Sequence, residues 1–353
     1  MTRASRLAGA TSTPRVGLVL GGGGAVGVAY HAGALAAIQH DLGWDPRTAE
    51  VIVGTSAGSL VGALLRLGVP ATDIAALQVG GTAWETDETL VRWYAERRAF
   101  EPFGLSNLLR RPRLLGPSAV WGLAGQTRRR GVSALGCLTL LLSDGSDSLE
   151  SDLEPFEAVL AGLLDGETWP GERFLVCTTR RRDCRRAVFG SGDRRRDFVR
   201  AIAASCAVPG YFRPVRIAGE PYVDGGVISA TNADVLRRES VDVAIVVSPM
   251  TGRASFPSVS SAMRRFCRAA LDHEVRQLER AGIEVLVIEP GPEVIAHMST
   301  DFMDEDAAPR IVQEAFLDTG RSLLTMPTLQ SLARRHRRTS SSPDPIDPVA
   351  ASG

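Results

Sequence analysis

An α/β fold with a central, mainly parallel sheet and helices on both faces is the architecture that this sequence predicts. Short aliphatic and β-branched runs recur without polar alternation, as strands covered on both faces require. Apolar segments of helical length follow them in strand–helix–strand–helix order, the signature of parallel crossovers. Glycines and prolines mark the junctions.

The elements follow in order. Val16 to Leu20 is an apolar run ending at glycines, a predicted buried strand. Gly27 to Gln39 reads as an apolar helix closing near Asp41-Leu42-Gly43. Glu50 to Val53 is a second strand, and Ser56 opens a helix through Leu60, Val61, Leu64 and Leu65 that Gly68 and Pro70 stop. Thr72 to about Val132 differs in character, with a helical stretch around Trp84 to Phe100 and then an apolar part broken by Pro102, Pro112 and Pro117. Arg173 to Thr179 and Arg186 to Phe189 predict a strand pair, Asp197 to Cys206 a helix, and Tyr222-Val223 the end of a strand. Val241 to Val247 and Ile283 to Ile288 are further buried strands around the helical run Ser260 to Ala281, and Ala308 to Leu324 is a last helix.

This order gives an α/β domain over 15–325, in which the side chains of the aromatic, arginine-flanked segment 84–130 either form a cap or lid or fill an ordinary satellite core. The polar residues 1–14 are expected to be disordered, and lack the apolar core of a secretory signal. Residues 326–353 form a basic and then Ser/Pro-rich tail with too little apolar content to fold at its end. Its cluster from Arg334 to Arg338 is either a solvated helix end or a modest peripheral contact with anionic lipid. Val16 to Ile38 has the length of a membrane span, but the run Gly21 to Gly24 makes strand, loop and helix the better reading.

Composition removes several chemistries. Basic and acidic residues balance at 40 each, so net charge points to no nucleic-acid or membrane partner. Every basic residue is Arg, which leaves no lysine for a Schiff base, a phosphate loop or a Ser–Lys dyad. The five cysteines are scattered without a CxxC pair, which predicts no zinc site and suits a reducing, cytoplasmic compartment. Neither metal nor cofactor is expected.

Gly54-Thr55-Ser56-Ala57-Gly58 fits G-x-S-x-G between a predicted strand and a predicted helix. A nucleophile needs such a sharp turn, and the flanking glycines let strand and helix approach. The competing reading is a serine that merely caps the helix. Gly22-Gly23-Gly24-Ala25-Val26-Gly27 supports three readings of its own: a dinucleotide fingerprint, a loop of free backbone N–H donors facing an oxyanion, or simply a tight structural turn. The first wants an acidic residue at the end of the second strand, where this chain has Ser56.

A serine hydroxyl needs a base within reach. His31 and His40 lie in the first helix, His273 on a charged helical face beside Asp272 and Glu274, His297 after an apolar turn, and His336 in the basic tail. None follows the serine at a strand-to-loop position. Asp224 does, in Tyr222-Val223-Asp224-Gly225-Gly226, at the tip of a strand where parallel sheets gather their sites. The alternative is an ordinary Asp-Gly turn, which is how Asp144-Gly145 and Asp165-Gly166 are read. As a base, Asp224 would need its pKa raised in a water-poor pocket.

Together these blocks make the chain resemble the patatin-like phospholipases, from Gly17 to about Val247. A fourth block, Ala204-Ser205-Cys206-Ala207-Val208-Pro209 with Phe212 and Pro214, is similar to the family's segment before the aspartate strand. The resemblance implies a three-layer patatin-like sandwich and hydrolysis of lipid acyl esters. It implies Ser56 as nucleophile, Asp224 as base without histidine, and the amides of Gly22, Gly23 and Gly24 as oxyanion donors. Val26 departs from the pattern, since family members usually carry Arg or Lys there, and the missing cation weakens support for an anion. Other readings are a dinucleotide-binding protein, a weakly catalytic lipid binder of the same fold, and an acyltransferase working through the same serine.

Overall fold

The computed structural model of the chain describes residues 14–81, 153–163, 169–191, 197–209, 211–253, 259–298 and 302–324. The expected cap or lid at 84–130, the tail 326–353 with its Arg334 to Arg338 cluster, the turns at Asp144-Gly145 and Asp165-Gly166, and all of 1–14 but Pro14 lie outside these residues.

Strand β1 (Val16–Leu20) leads into helix α1 (Gly24–Leu42), β2 (Val51–Thr55) into α2 (Ala57–Arg66), and α3 (Ala71–Gln78) follows. After α4 (Glu154–Leu163) come the hairpin strands β3 (Arg173–Arg180) and β4 (Arg185–Phe189), then α5 (Phe198–Cys206). Short strands β5 (Val215–Ile217) and β6 (Glu220–Asp224) precede β7 (Val243–Val247), α6 (Val259–Arg280), β8 (Glu284–Ile288), α7 (Pro292–His297) and α8 (Ala308–Leu323). Strands β3, β2, β1, β7 and β8 lie side by side and parallel, while β4, β5 and β6 pair antiparallel at one end.

Alternation along each parallel strand divides the core into two layers, because successive side chains leave opposite faces of a sheet. Leu18, Leu20, Ile52, Val243, Ile245 and Val247 pack on one side with residues of α1, α2 and α8. Val19, Val51, Val53, Ala244 and Val246 pack on the other with Leu271 and Leu278 of α6. The fold is thus a three-layer α/β sandwich with helices on both faces, as expected. Helix α1 is buried nearly all round, from Val26 to Ile38, because the sheet lies on one side and α8 on another. Among the described residues no helix is long and apolar enough to cross a membrane.

Three local features differ from expectation. Helix α1 starts inside the glycine run, at Gly24, whose positive φ of 63° turns the chain into the helix and is open to glycine without a Cβ clash. Strand β2 continues to Thr55, since Gly54 and Thr55 still pair with Val176 and Cys177 of β3. Pro70, read as a stop, also starts α3, because its φ of −63° suits the entry to a helix.

The largest correction concerns β6. It runs antiparallel to β3, so Asp224 does not reach the site as the tip of a parallel strand. One edge of β3 is taken by β4, whose Val188 and Ala187 face Cys177 and Thr178. The other edge is shared: β2 occupies it as far as Thr55 opposite Cys177, and β6 continues with Asp224 opposite Thr178. The two strands therefore meet C-terminus to C-terminus, with Thr55 and Asp224 opposite consecutive residues, about 3.3 Å of strand rise apart.

Helices α1 and α8 approach so closely at Gly33 that a Cβ there would collide with the Val312 carbonyl and stand 2.9 Å from Ala315 Cβ. Gly33→Ala should therefore cost about 1–3 kcal/mol of stability, read from urea unfolding. An unchanged midpoint would contradict this close approach.

Candidate active site

Ser56 sits between β2 and α2 at φ 52° and ψ −123°, a conformation that costs a non-glycine residue about 1–3 kcal/mol. The flanking glycines permit it. A Cβ on Gly54 would stand 2.6 Å from Ser59 Cα, and one on Gly58 would collide with the Leu20 carbonyl. The Ser56 side chain makes no capping hydrogen bond to α2, so helix capping does not account for the residue. Its backbone N–H donates to Ser205 Oγ at 2.8 Å, and that hydroxyl donates onward to the Cys177 carbonyl at 2.7 Å. Buried Ser205, on α5, thus clamps the elbow to β3.

Asp224 is 5% exposed at the end of β6. Its Oδ1 accepts the Gly226 amide at 2.6 Å, its carbonyl accepts Thr179 Oγ1 at 3.0 Å, and its N–H donates to the Ala207 carbonyl at 2.9 Å. A Cβ on Gly225 would collide with the Cys177 carbonyl and stand 3.2 Å from Thr55 Cγ2, so only glycine lets this turn sit against β3 and the elbow. Burial pushes the Asp224 carboxyl up to about 6, while the Gly226 amide and the Ser56 side chain, within interaction range, pull the other way. Ser56 and Asp224, far apart in the chain, are brought together.

The glycine loop reaches the same place, with one correction. A Cβ on Gly22 would stand 3.3 Å from Ser56 Cβ, but the Gly22 amide already donates to the Ala230 carbonyl at 2.8 Å. It is not a free oxyanion donor, because the chain uses it to fasten the loop to the segment after Asp224. The Val26 and Gly27 amides are also engaged, by the Phe302 and Gly23 carbonyls. The N–H groups of Gly23, Gly24 and Ala25 have no partner among the described residues, nor do those of Ala57 and Gly58. They belong to the first turns of α1 and α2, where N–H groups point outward along the helix axis and favour negative charge. These turns adjoin, since a Cβ on Gly27 would stand 3.4 Å from Ala57 Cβ.

Val26, at the position of the family's usual cation, is buried in the apolar core. A buried guanidinium lies one layer behind: Arg264 donates to the Pro249 and Thr251 carbonyls at 2.8 and 2.6 Å. Pro249 in turn packs 3.1 Å from where a Gly23 Cβ would be.

No histidine among the described residues hydrogen-bonds to Ser56 or Asp224. His31 is fully buried, burial lowers its pKa to about 4, and Nε2 lies 2.7 Å from the Gly21 carbonyl. The ring is therefore neutral, with its proton on Nε2, and anchors the start of the glycine loop. His40 and His273 are exposed, His297 ends α7, and His336 lies outside the described residues. Glu274, read with His273 as part of a charged face, is instead buried, and its Oε2 accepts Thr231 Oγ1 at 2.6 Å and the Ala233 amide at 2.9 Å. Sequence reasoning missed this anchor and the clamp role of Ser205. Each is a polar residue at an apolar helical position, and Ser205 also lies in the block that precedes the aspartate strand.

Burial of Asp224 has a thermodynamic consequence. Its folded pKa of about 6 lies above the ordinary 3.8, so the native state holds the proton more tightly. The stability this confers is complete below pH 3.8 and is lost as pH rises through about 6. Asp224→Asn should therefore exceed wild type in stability at pH 8 by roughly 2–3 kcal/mol, and the excess should shrink towards pH 4. Urea unfolding at both pH values measures it, and a pH-independent difference would contradict the raised pKa.

No curated protein matches the chain. Among solved structures, it is similar to VipD from Legionella pneumophila, with 14% identity and a TM-score of 0.37 over 93% of this chain and 75% of that one. It is also similar to human GIVD cytosolic phospholipase A2, solved in complex with methyl gamma-linolenyl fluorophosphonate, with 13% identity and a TM-score of 0.40 over 93% of this chain. The match spans 60% of the human chain. A family model described as patatin-like phospholipase matches residues 18–237, which include the glycine loop, the elbow and the aspartate turn. With more than half of its length matched to that model, the chain belongs to the patatin-like phospholipase family.

Proposed function

We propose that the protein is a lipid acyl hydrolase that cleaves carboxylic esters through an acyl-enzyme on Ser56, with Asp224 as general base. One observation carries the reading: a serine on a strained elbow, its side chain unused for capping, adjoins a buried carboxylate. As Ser56 Oγ attacks the ester carbonyl, Asp224 takes its proton. The oxyanion of the tetrahedral intermediate is met by the unpaired N–H groups of Gly23 and Gly24, joined by Ala25 in place of Gly22. Collapse expels the alcohol, which leaves with the proton from Asp224. Water then gives a proton to Asp224 and attacks the acyl group. Release of the carboxylic acid returns that proton to Ser56.

A pKa of about 6 suits this work, because the group is a stronger base than an exposed carboxylate yet still ionised at neutral pH. The lipid nature of the ester rests on family membership. Val26 leaves the loop without a cation, which favours donors that are all backbone and a substrate not selected by its phosphate. The dinucleotide reading fares worse. The second strand is followed by Ser56 rather than an acid, and the space beside Gly24 is filled by the Phe302 carbonyl.

Turnover of a p-nitrophenyl ester tests the proposal. Ser56→Ala should lower kcat/KM by at least about 10³-fold, and Asp224→Asn by about 10²–10⁴-fold. Activity surviving Ser56→Ala would discard the mechanism. In wild type, kcat/KM should climb with pH through an apparent pKa near 6, as Asp224 loses its proton. A flat profile between pH 4 and 8 would remove Asp224 as the base.

A further inference from the structure

The segment just after the aspartate turn contacts all three parts of the site. The Ala230 carbonyl accepts the Gly22 amide at 2.8 Å. Asn232, fully buried, donates from Nδ2 to Thr55 Oγ1 at 3.0 Å, to the Ser229 carbonyl at 2.7 Å and, more weakly, to the Gly225 carbonyl at 3.3 Å. Thr55 immediately precedes Ser56, and Gly225 immediately follows Asp224. One carboxamide thus joins the chain neighbours of both residues. The two carbonyls around Nδ2 accept hydrogens only, so the nitrogen rather than the oxygen must face them.

This segment is itself braced from behind. Ser229 Oγ accepts the amides of Thr231 and Asn232 at 3.2 Å each. Thr231 Oγ1 and the Ala233 amide, on either side of Asn232, both donate to Glu274 Oε2 of α6. Arg186 completes the brace by pairing with Asp234 at 2.7 Å.

We infer that Asn232 is a positioning residue that locks the Ser56 elbow and the Asp224 turn into one frame. The inference rests on the reading of Ser56 and Asp224 given above. Stability alone is a poor account of Asn232. It holds a left-handed φ of 52°, and its Oδ1 is buried without a partner, both of which oppose folding. Asparagine is nevertheless suited to the place. It tolerates the left-handed region better than other side chains, and it offers two donors without a charge. Aspartate would offer none and would set a second carboxylate beside the Asp224 turn.

The test uses the full chain, a fluorophosphonate probe and a p-nitrophenyl ester, at a temperature where every variant used is folded by circular dichroism. Asn232→Gly keeps the backbone conformation and removes both donors. Its labelling stoichiometry should match wild type, while its labelling rate and kcat fall about 10- to 100-fold with little change in KM. Asn232→Asp should lose at least as much at neutral pH. Wild-type rates in either variant, or a loss seen only as fewer labelled chains at an unchanged rate per labelled chain, would overturn the inference. If Asn232→Gly does not fold, Thr55→Val removes the elbow's end of the contact, together with the long bond from Thr55 Oγ1 to the Thr231 carbonyl at 3.5 Å, and should also slow labelling; a wild-type rate there would likewise overturn the inference. Ser56→Ala separates the two proposals. Labelling or turnover that survives it defeats the Ser56 mechanism and this inference together, whereas labelling confined to Ser56 with undiminished Asn232 variants defeats this inference alone.

Discussion

The site depends on how one edge of β3 is shared. Strand β2 fills the first part of that edge and β6 the second, and because they run in opposite directions their C-termini abut. Backbone pairing sets Thr55 and Asp224 opposite consecutive residues, and only then do turn geometry and side chains matter. A slip of one residue in either strand would turn its side chains to the other face of the sheet. Such slips are opposed on several sides: Gly225 packs on the Cys177 carbonyl, Ser205 bridges that carbonyl to the Ser56 amide, and Asn232 ties Thr55 to Gly225.

The same packing that orders the site also dries it. Burial raises the Asp224 carboxyl and lowers His31, each towards its neutral form. The outcomes differ because their partners differ. His31 has given its proton-bearing nitrogen to the Gly21 carbonyl and can only hold the loop. Asp224 has one oxygen on the Gly226 amide and a serine hydroxyl within range. A strained Ser56, a buried acid and amides without a partner among the described residues, on the first turns of two helices, are each unfavourable for folding, and they coincide at one place.

Elsewhere the absence of lysine shapes the interior. Buried Arg66 donates to the carbonyls of Arg47, Ala49 and Arg173, and so ties α2 to the connection before β2 and to the start of β3. Arg264 does the same for Pro249 and Thr251 behind the glycine loop. A planar guanidinium reaches several carbonyls at fixed angles, which a single ammonium cannot do. Both arginines are shifted towards the neutral form by burial, and for Arg66 the carboxylates of Glu172 and Glu50 act in the opposite direction.

By itself the sequence determined the parallel β/α order, the two-sided core, the elbow at Ser56 and the candidacy of Asp224, because these are local. A buried strand, a glycine-flanked turn and a helix stop are each written within a few neighbouring residues. Tertiary structure alone decided that β6 runs antiparallel, that Gly22 spends its amide on Ala230, that Glu274 is buried, that Ser205 ties the elbow to β3, and that Asn232 bonds to both Thr55 and Gly225. Each of those depends on a hydrogen-bond partner distant in the chain. Strand direction and amide occupancy are settled by which surfaces meet when the layers close, and no local pattern records that meeting.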